Sequence, residues 1–320
     1  MADRTGVLLV GEPMGLYMAQ QEGHLDEVSS FSIAVAGAEL NVAIGISRLG
    51  HKVSYLTKLG TDFHAKIIER LMHDCGISTE FTSFSAKRPT GIMFKSLVPG
   101  GDPEIFYLRK NSAASTLSPA DIEGLDFSEY SILHMTGIMP ALSSSTREAS
   151  WKLLEEIRKH DMLFSFDPNL RPQLWPDERS MVDFMNSMAA QADYFLPGIA
   201  EARILMGEPD ATPEDATSYY RRLGARTVIV KCGARGAYFD NGSESGWGGT
   251  FRVKSVVDTV GAGDGFAAGV LTATLEGLSL PECVTRGNAV GSMQVQVRGD
   301  NEGLPSREQL EEYMTRMRIA

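Results

Sequence analysis

Asp258-Thr259-Val260-Gly261-Ala262-Gly263-Asp264-Gly265-Phe266-Ala267-Ala268-Gly269 runs directly into the apolar stretch Val270 to Leu275, so a glycine-rich turn opens a helix. Gly261, Ala262 and Gly263 carry little or no side chain, and their N–H groups can approach an anion closely at the positive end of the helix dipole. Charge building on a transferring phosphoryl group would be stabilised there. An acid beside such a site would repel phosphate, so Asp264 asks for a reason. One is general base catalysis, in which the carboxylate orients an attacking hydroxyl and takes its proton late in a loose transition state. The other is that an acidic residue merely favours a helix N-terminus.

Outward from this stretch, short β-rich runs alternate with amphipathic helical ones, the pattern of a parallel sheet covered by helices. Strands are predicted at Gly6 to Val10, Val53 to Lys58, Ser131 to Met135, Met162 to Phe166, Tyr194 to Pro197 and Thr227 to Lys231. Most are nearly continuous apolar runs, as strands buried on both faces should be. Crossover helices are predicted at Glu39 to Leu49, Phe63 to Cys75, Ser144 to His160 and Pro213 to Leu223. Two segments break the rhythm. Leu25 to Val35 is one; in the other, Ile92 to Val98 and Glu104 to Leu108 flank Pro99-Gly100-Gly101-Asp102-Pro103 and read as a β-hairpin. Such inserted strands form a small lid sheet over one end of the main sheet. No Pro/Ser-rich linker or repeat divides the chain, so residues 1–320 are read as one domain with lid strands at about 12–36 and 88–110.

The chain has 320 residues and a formal net charge of −11, which argues against sequence-independent nucleic-acid binding because that mode needs a basic surface. Gly, Pro or charge interrupts every apolar run before the roughly 20 residues a membrane helix requires. Met1-Ala2-Asp3-Arg4-Thr5-Gly6 leads straight to the short run Val7 to Val10 and reads as an uncleaved cytoplasmic start. Cys75, Cys232 and Cys283 are far apart and lack metal-ligand spacing, which suits a reducing compartment.

The 258–269 stretch resembles the C-terminal signature of the ribokinase-like (PfkB) carbohydrate kinases, and Ala36-Gly37-Ala38-Glu39-Leu40-Asn41-Val42-Ala43 resembles their N-terminal one, with Gly50 and Gly60 at later matching positions. Glu39 departs from the small residue or Pro commonest there, as in several sugar-acid kinases. The resemblance implies an α/β fold of three α/β/α layers with a mainly parallel central sheet and a β lid. It implies ATP and Mg2+ as cofactors, Asp264 as base, Gly261 to Gly263 as anion hole, and Gly37 and Asn41 in the sugar pocket. Asp258 and the backbone of Val260 match a monovalent-cation site, which would bind K+. Glu201 in Gly198-Ile199-Ala200-Glu201 matches a motif that holds Mg2+ through water, although the family's Asn is missing. Lys231, Gly233 and Gly236, with Asn288, match stretches that flank adenosine. Turn glycines and helix-end residues are the plain alternative for these positions.

Tyr107-Leu108-Arg109-Lys110-Asn111-Ser112-Ala113-Ala114 resembles a segment of 2-keto-3-deoxygluconate kinases within that family. In an extended chain Tyr107 and Arg109 share a face, and a guanidinium grips a carboxylate with two parallel hydrogen bonds. Arg171 in Asp167-Pro168-Asn169-Leu170-Arg171 follows an apolar strand, at the sheet edge where ligands of open α/β sheets bind. Asp300 in Arg298-Gly299-Asp300-Asn301 resembles a residue set against the substrate's distal hydroxyls, while Met93 stands where some keto-acid kinases carry Tyr. The reading is an ATP-dependent kinase phosphorylating the 6-hydroxyl of 2-keto-3-deoxygluconate, a homodimer through its lid strands. Its rivals are a kinase of a neutral ketose (fructose or tagatose) and a sugar-binding regulator that has lost catalysis.

Overall fold

The computed structural model describes residues 5–98 and 103–318, so residues 1–4 of the expected start and 99–102 of the expected hairpin turn lie outside it. Thirteen strands form two sheets among the described residues: β1 (Gly6–Val10), β2 (Met14–Glu22), β3 (Phe31–Ala36), β4 (Val53–Gly60), β5 (Thr82–Ser85), β6 (Ile92–Leu97), β7 (Ile105–Leu108), β8 (Tyr130–Thr136), β9 (Leu163–Asp167), β10 (Tyr194–Phe195), β11 (Thr227–Lys231), β12 (Ala237–Asp240) and β13 (Ser245–Trp247). The large sheet has the order β13-β12-β11-β10-β9-β8-β1-β4-β5. It is parallel from β5 through β11, and β12 and β13 add antiparallel. All six main-sheet strands expected from the sequence are present.

Helices cover both faces: α1 (Ala38–Arg48), α2 (Phe63–Asp74), α3 (Ile138–Ala141), α4 (Ser144–Lys159), α5 (Glu178–Ala189), α6 (Ile199–Met206), α7 (Pro213–Leu223), α8 (Ala262–Leu275), α9 (Leu280–Gln294) and α10 (Arg307–Arg318). Strand alternation divides the core into two. On β1, Val7 and Leu9 join the cluster formed with α1, α2, α8 and α9, while Leu8 and Val10 join the one formed with α4, α5 and α7. Each such fully buried side chain contributes about 1.5–3 kcal/mol. Local caps set the expected helix starts: Asp62 accepts from Ala65 N, Ser143 from Thr146 N and Thr212 from Asp215 N.

The smaller sheet, built from the strands expected to form a lid, is ordered β3-β2-β6-β7. Its β6–β7 hairpin pairs Met93 with Tyr107 and Lys95 with Ile105, as the sequence suggested. The other half differs from expectation. The Leu25 to Val35 segment is a strand only from Phe31, and it pairs with β2, whose parallel partner is β6. No helix of the described residues is long and apolar enough to cross a membrane.

Candidate active site

Helix α8 delivers Asp264 because it sits unusually close to its neighbours. A Cβ on Gly45 of α1 would meet the Ala268 Cβ at 2.7 Å, and one on Gly269 would meet the Gly287 backbone of α9 at 2.8 Å. Small residues thus let α8 lie between the two helices. Gly261, the residue before α8, has φ +76, and a Cβ there would strike the Asp300 carbonyl oxygen at 2.1 Å. Only glycine fits such a left-handed, close-packed position. Asp264 therefore stands in the first turn of α8, where Asn41 Nδ2 of α1 donates to its Oδ2 at 2.8 Å. Although the carboxyl keeps an opening to solvent, desolvation by the surrounding protein pushes it up to about 7; the Asn41 bond pulls the other way and Asp167 adds repulsion. A carboxylate tuned near neutrality matches the working range of a general base.

Asp264 opens into a cavity of about 340 Å³ at the C-terminal ends of the central strands, beneath the lid. It brings together most of the residues singled out from sequence. Gly261, Gly263, Gly37, Asn41, Tyr107, Arg109, Arg171, Asp300, Lys231, Glu201 and Val260 all line it. Ala262 begins α8 just behind this wall. Gly37 precedes α1 with φ 151, and a side chain there would press on Pro13 Cα at 3.1 Å.

The two guanidinia differ. Arg109 is buried and already partnered: its Nε donates to Glu12 Oε2 at 2.7 Å, its Nη2 lies 2.5 Å from the same oxygen, and Ser112 Oγ donates to Glu12 Oε1. Its charge is thus met inside the protein, and its face lies 5.5 Å from the Tyr107 ring centroid. Among the described residues no acid pairs with Arg171; its Nη1 donates to the carbonyls of Asn169 and Leu170, 3.3 and 2.9 Å away. It is the guanidinium free to meet a carboxylate.

On the far side of Asp264, the Lys231 ammonium donates to Asp167. Burial raises Asp167 against the pull of that ammonium, and the same pair lifts Lys231 above its usual range despite its own desolvation. Glu201 Oε2 accepts from Gly198 N and its Oε1 from Leu170 N, at 2.8 and 2.9 Å. It caps α6 and ties that helix to the loop after β9 while still facing the cavity. Among the described residues no cluster of three His, Cys, Asp or Glu side chains could cage a metal ion. A Mg2+ bound here would keep its waters and take its remaining ligands from nucleotide phosphates, with Glu201 at hand.

Gly233, Gly236 and Asn288 are not in the cavity wall. They form a second group beyond β11, where a Cβ on Gly236 would meet Asn288 Nδ2 at 3.0 Å and Asn288 Nδ2 donates to Gly249 O at 2.9 Å. The implied monovalent-cation site at Asp258 and Val260 does not fit its ligand. Asp258 Oδ1 accepts from Val260 N, and its Oδ2 accepts from Lys95 Nζ at 3.3 Å and Gly299 N at 3.4 Å. The Val260 carbonyl accepts from Gln294 Nε2 at 3.3 Å. With the Lys95 ammonium already against Asp258, a second monovalent cation there would meet its repulsion.

Sequence reasoning missed Glu12, Lys95 and Gln294, each of which acts on a residue it had named. It noticed Glu39 only as a departure. That side chain is fully buried, and Thr136 Oγ1 donates to it at 2.5 Å; burial raises its carboxyl. Met93, the other departure, is buried in the cavity wall.

Comparison with known proteins identifies the family. Residues 4–307 match the model of the pfkB family carbohydrate kinases. The chain is 45% identical over 309 residues to a 2-dehydro-3-deoxygluconokinase of Bacillus subtilis, covering 96% of this chain and 95% of that one. It is 34% identical to a 2-dehydro-3-deoxygluconokinase of Thermoproteus tenax, covering 96% and 94%. Among solved structures, a PfkB protein from Polaromonas sp. JS666 superposes with TM-score 0.88 at 43% identity, covering 96% of this chain and 99% of the other. A putative ribokinase II from E. coli in complex with ATP and Mg2+ gives TM-score 0.88 at 25% identity, covering 98% and 99%.

Proposed function

The chain belongs to the pfkB family of carbohydrate kinases, and on that footing we propose that it transfers the γ-phosphoryl group of ATP to the 6-hydroxyl of 2-keto-3-deoxygluconate. The observation that carries the proposal is the single cavity in which Asp264, raised to about 7 at the N-terminus of α8, faces the unpaired guanidinium of Arg171. The two relatives named 2-dehydro-3-deoxygluconokinase support the sugar acid.

In the proposed mechanism Arg171 holds the substrate carboxylate, Tyr107 and Asp300 bind its hydroxyls, and Asn41 orients Asp264. The substrate oxygen attacks the γ-phosphorus, its bond to phosphorus forms as the bond to the β-phosphate oxygen breaks, and its proton passes to Asp264. Backbone N–H groups at Gly261 to Gly263 stabilise the charge on the transferring group. Lys231 faces the nucleotide phosphates, with Gly233, Gly236 and Asn288 toward the adenosine. When bound, Mg2+ would neutralise those phosphates. The lid, which supplies Tyr107 and Met93 to the wall, excludes water on closing and limits ATP hydrolysis.

A second copy docking on the lid is supported by Phe106 and Leu108 on β7 and Ile33 on β3, all about half exposed. A cytoplasmic setting agrees with three free cysteines. The Arg109–Glu12 pair favours one second reading, a kinase of a neutral ketose, because one of the two candidate guanidinia is already neutralised. Coupled ADP release with 2-keto-3-deoxygluconate, fructose and tagatose separates them. Turnover of the sugar acid, lost in Asp264→Asn and with KM raised at least tenfold in Arg171→Leu, is the expected result; preference for a ketose untouched by Arg171→Leu would leave a kinase of neutral sugars.

A further inference from the structure

We propose that the ammonium of Lys95 is the built-in cation of the phosphoryl-transfer site, so that turnover needs no added monovalent cation. The inference rests on the kinase reading but concerns a lid residue outside the groups that touch substrate there. Lys95 lies on β6, on the same face as Met93, and its side chain is only 10% exposed. Its Nζ sits 3.3 Å from Asp258 Oδ2 and 3.2 Å from Asp300 Oδ1, bridging two loops that come from opposite ends of α8 and α9.

Those loops shape the anion hole. The Asp300 carbonyl packs against Gly261 so closely that no Cβ fits between them. Gln294, fully buried, joins them as well: its Nε2 donates to Val260 O at 3.3 Å and Gly299 O at 2.8 Å, while its Oε1 accepts from Gly303 N at 3.0 Å. Both Asp258 oxygens, Asp300 Oδ1 and the carbonyls of Val260 and Gly299 thus already accept N–H donors of the chain. Two facing carboxylates would repel each other and spread the loops; one compact positive charge between them holds the spacing. Potassium and ammonium ions are similar in size, so the Lys95 head is a fair substitute for a bound ion. Lys95 acts through the loops and is a positioning residue.

The test compares wild type, Lys95→Ala, Lys95→Met and Lys95→Arg at constant ionic strength in choline chloride, potassium chloride and ammonium chloride, by ADP release and by thermal unfolding. Wild type should turn over equally in all three salts, with a salt-independent melting temperature. Lys95→Ala should lose about 100-fold in kcat in choline and regain at least about tenfold in potassium or ammonium, with a melting temperature raised by those two ions alone. Lys95→Met, whose side chain fills the space, should lose activity without rescue, and Lys95→Arg should stay independent of added cation. Wild-type dependence on potassium, full activity of Lys95→Ala in choline, or a loss in Lys95→Ala that neither ion restores in rate or melting temperature would overturn the proposal. A wild type inactive on every sugar would instead defeat the kinase reading, leaving the melting-temperature comparison to decide the role of Lys95.

Discussion

Replacing Asp264 by Asn should make the protein more stable at high pH while abolishing its chemistry. The carboxyl is raised from 3.8 to about 7 chiefly by burial, and at about 1.4 kcal/mol per unit the ionised form costs the native state roughly 4 kcal/mol. Its opening to cavity solvent discounts that to about 1–3 kcal/mol. Because the folded pKa lies above the unfolded one, the cost is absent below pH 4, grows between pH 4 and 7, and is complete above 7. The isosteric amide carries no charge, and its oxygen still accepts from Asn41. Urea unfolding at pH 8 should therefore show Asp264→Asn more stable than wild type by about 1–3 kcal/mol, and the gap should close near pH 4. Coupled ADP release should fall by about 100-fold to 10,000-fold, the span of general base catalysis. Wild-type activity should drop about tenfold per pH unit below 7 as the base protonates. Retained activity, or a stability gain equal at pH 4 and pH 8, would refute this account of Asp264.

Other sites lead to equally direct expectations. Gly261→Ala, forced to φ +76 against the Asp300 carbonyl, should cost at least about 1–3 kcal/mol in denaturant unfolding and lower kcat by about 100-fold or more by distorting the anion hole. Lys231→Met strands the buried Asp167 carboxylate and should destabilise the fold by about 3 kcal/mol at pH 8, with less loss at pH 5 where that acid can protonate. Glu276 binds His51, Arg286 and Arg307, which together hold its carboxyl down to about 2 against burial. Its stabilisation is present above the usual carboxylate range and lost as pH falls toward 2, so Glu276→Gln should cost about 1–2 kcal/mol at pH 7 and nothing below about pH 2 in thermal unfolding.

What could be read from sequence was local. The turn and helix at 258–275, the strands of the main sheet and the start of α7 at Pro213 are written in neighbouring residues: glycines, apolar runs, and Thr212 placed to cap. The lid was half legible, because β6 and β7 form a hairpin while β2 meets β6 in parallel across a long excursion of chain. The substrate-side residues converged because strand ends gather at one edge of the sheet. Their charge states did not show, since partners are remote: Glu12 lies 97 residues from Arg109, and Lys95 lies 163 from Asp258 and 205 from Asp300. Nothing local marks Lys95 as facing inward except its place one step from Phe94 in an alternating strand.

The Glu12–Arg109 pair also bears on how this pocket can change over generations. Losing either member alone leaves a buried charge without its counterpart, at about 3–5 kcal/mol, a large share of the 5–15 kcal/mol that holds a typical domain together. The two positions are therefore locked to each other, and drift at one is blocked until the other moves. Arg171, held only by the Asn169 and Leu170 carbonyls, is under no such constraint. On the role proposed for Arg171, a lineage shifting from sugar acids toward neutral sugars has its open route there, in one substitution, with the Arg109 end of the pocket inherited unchanged.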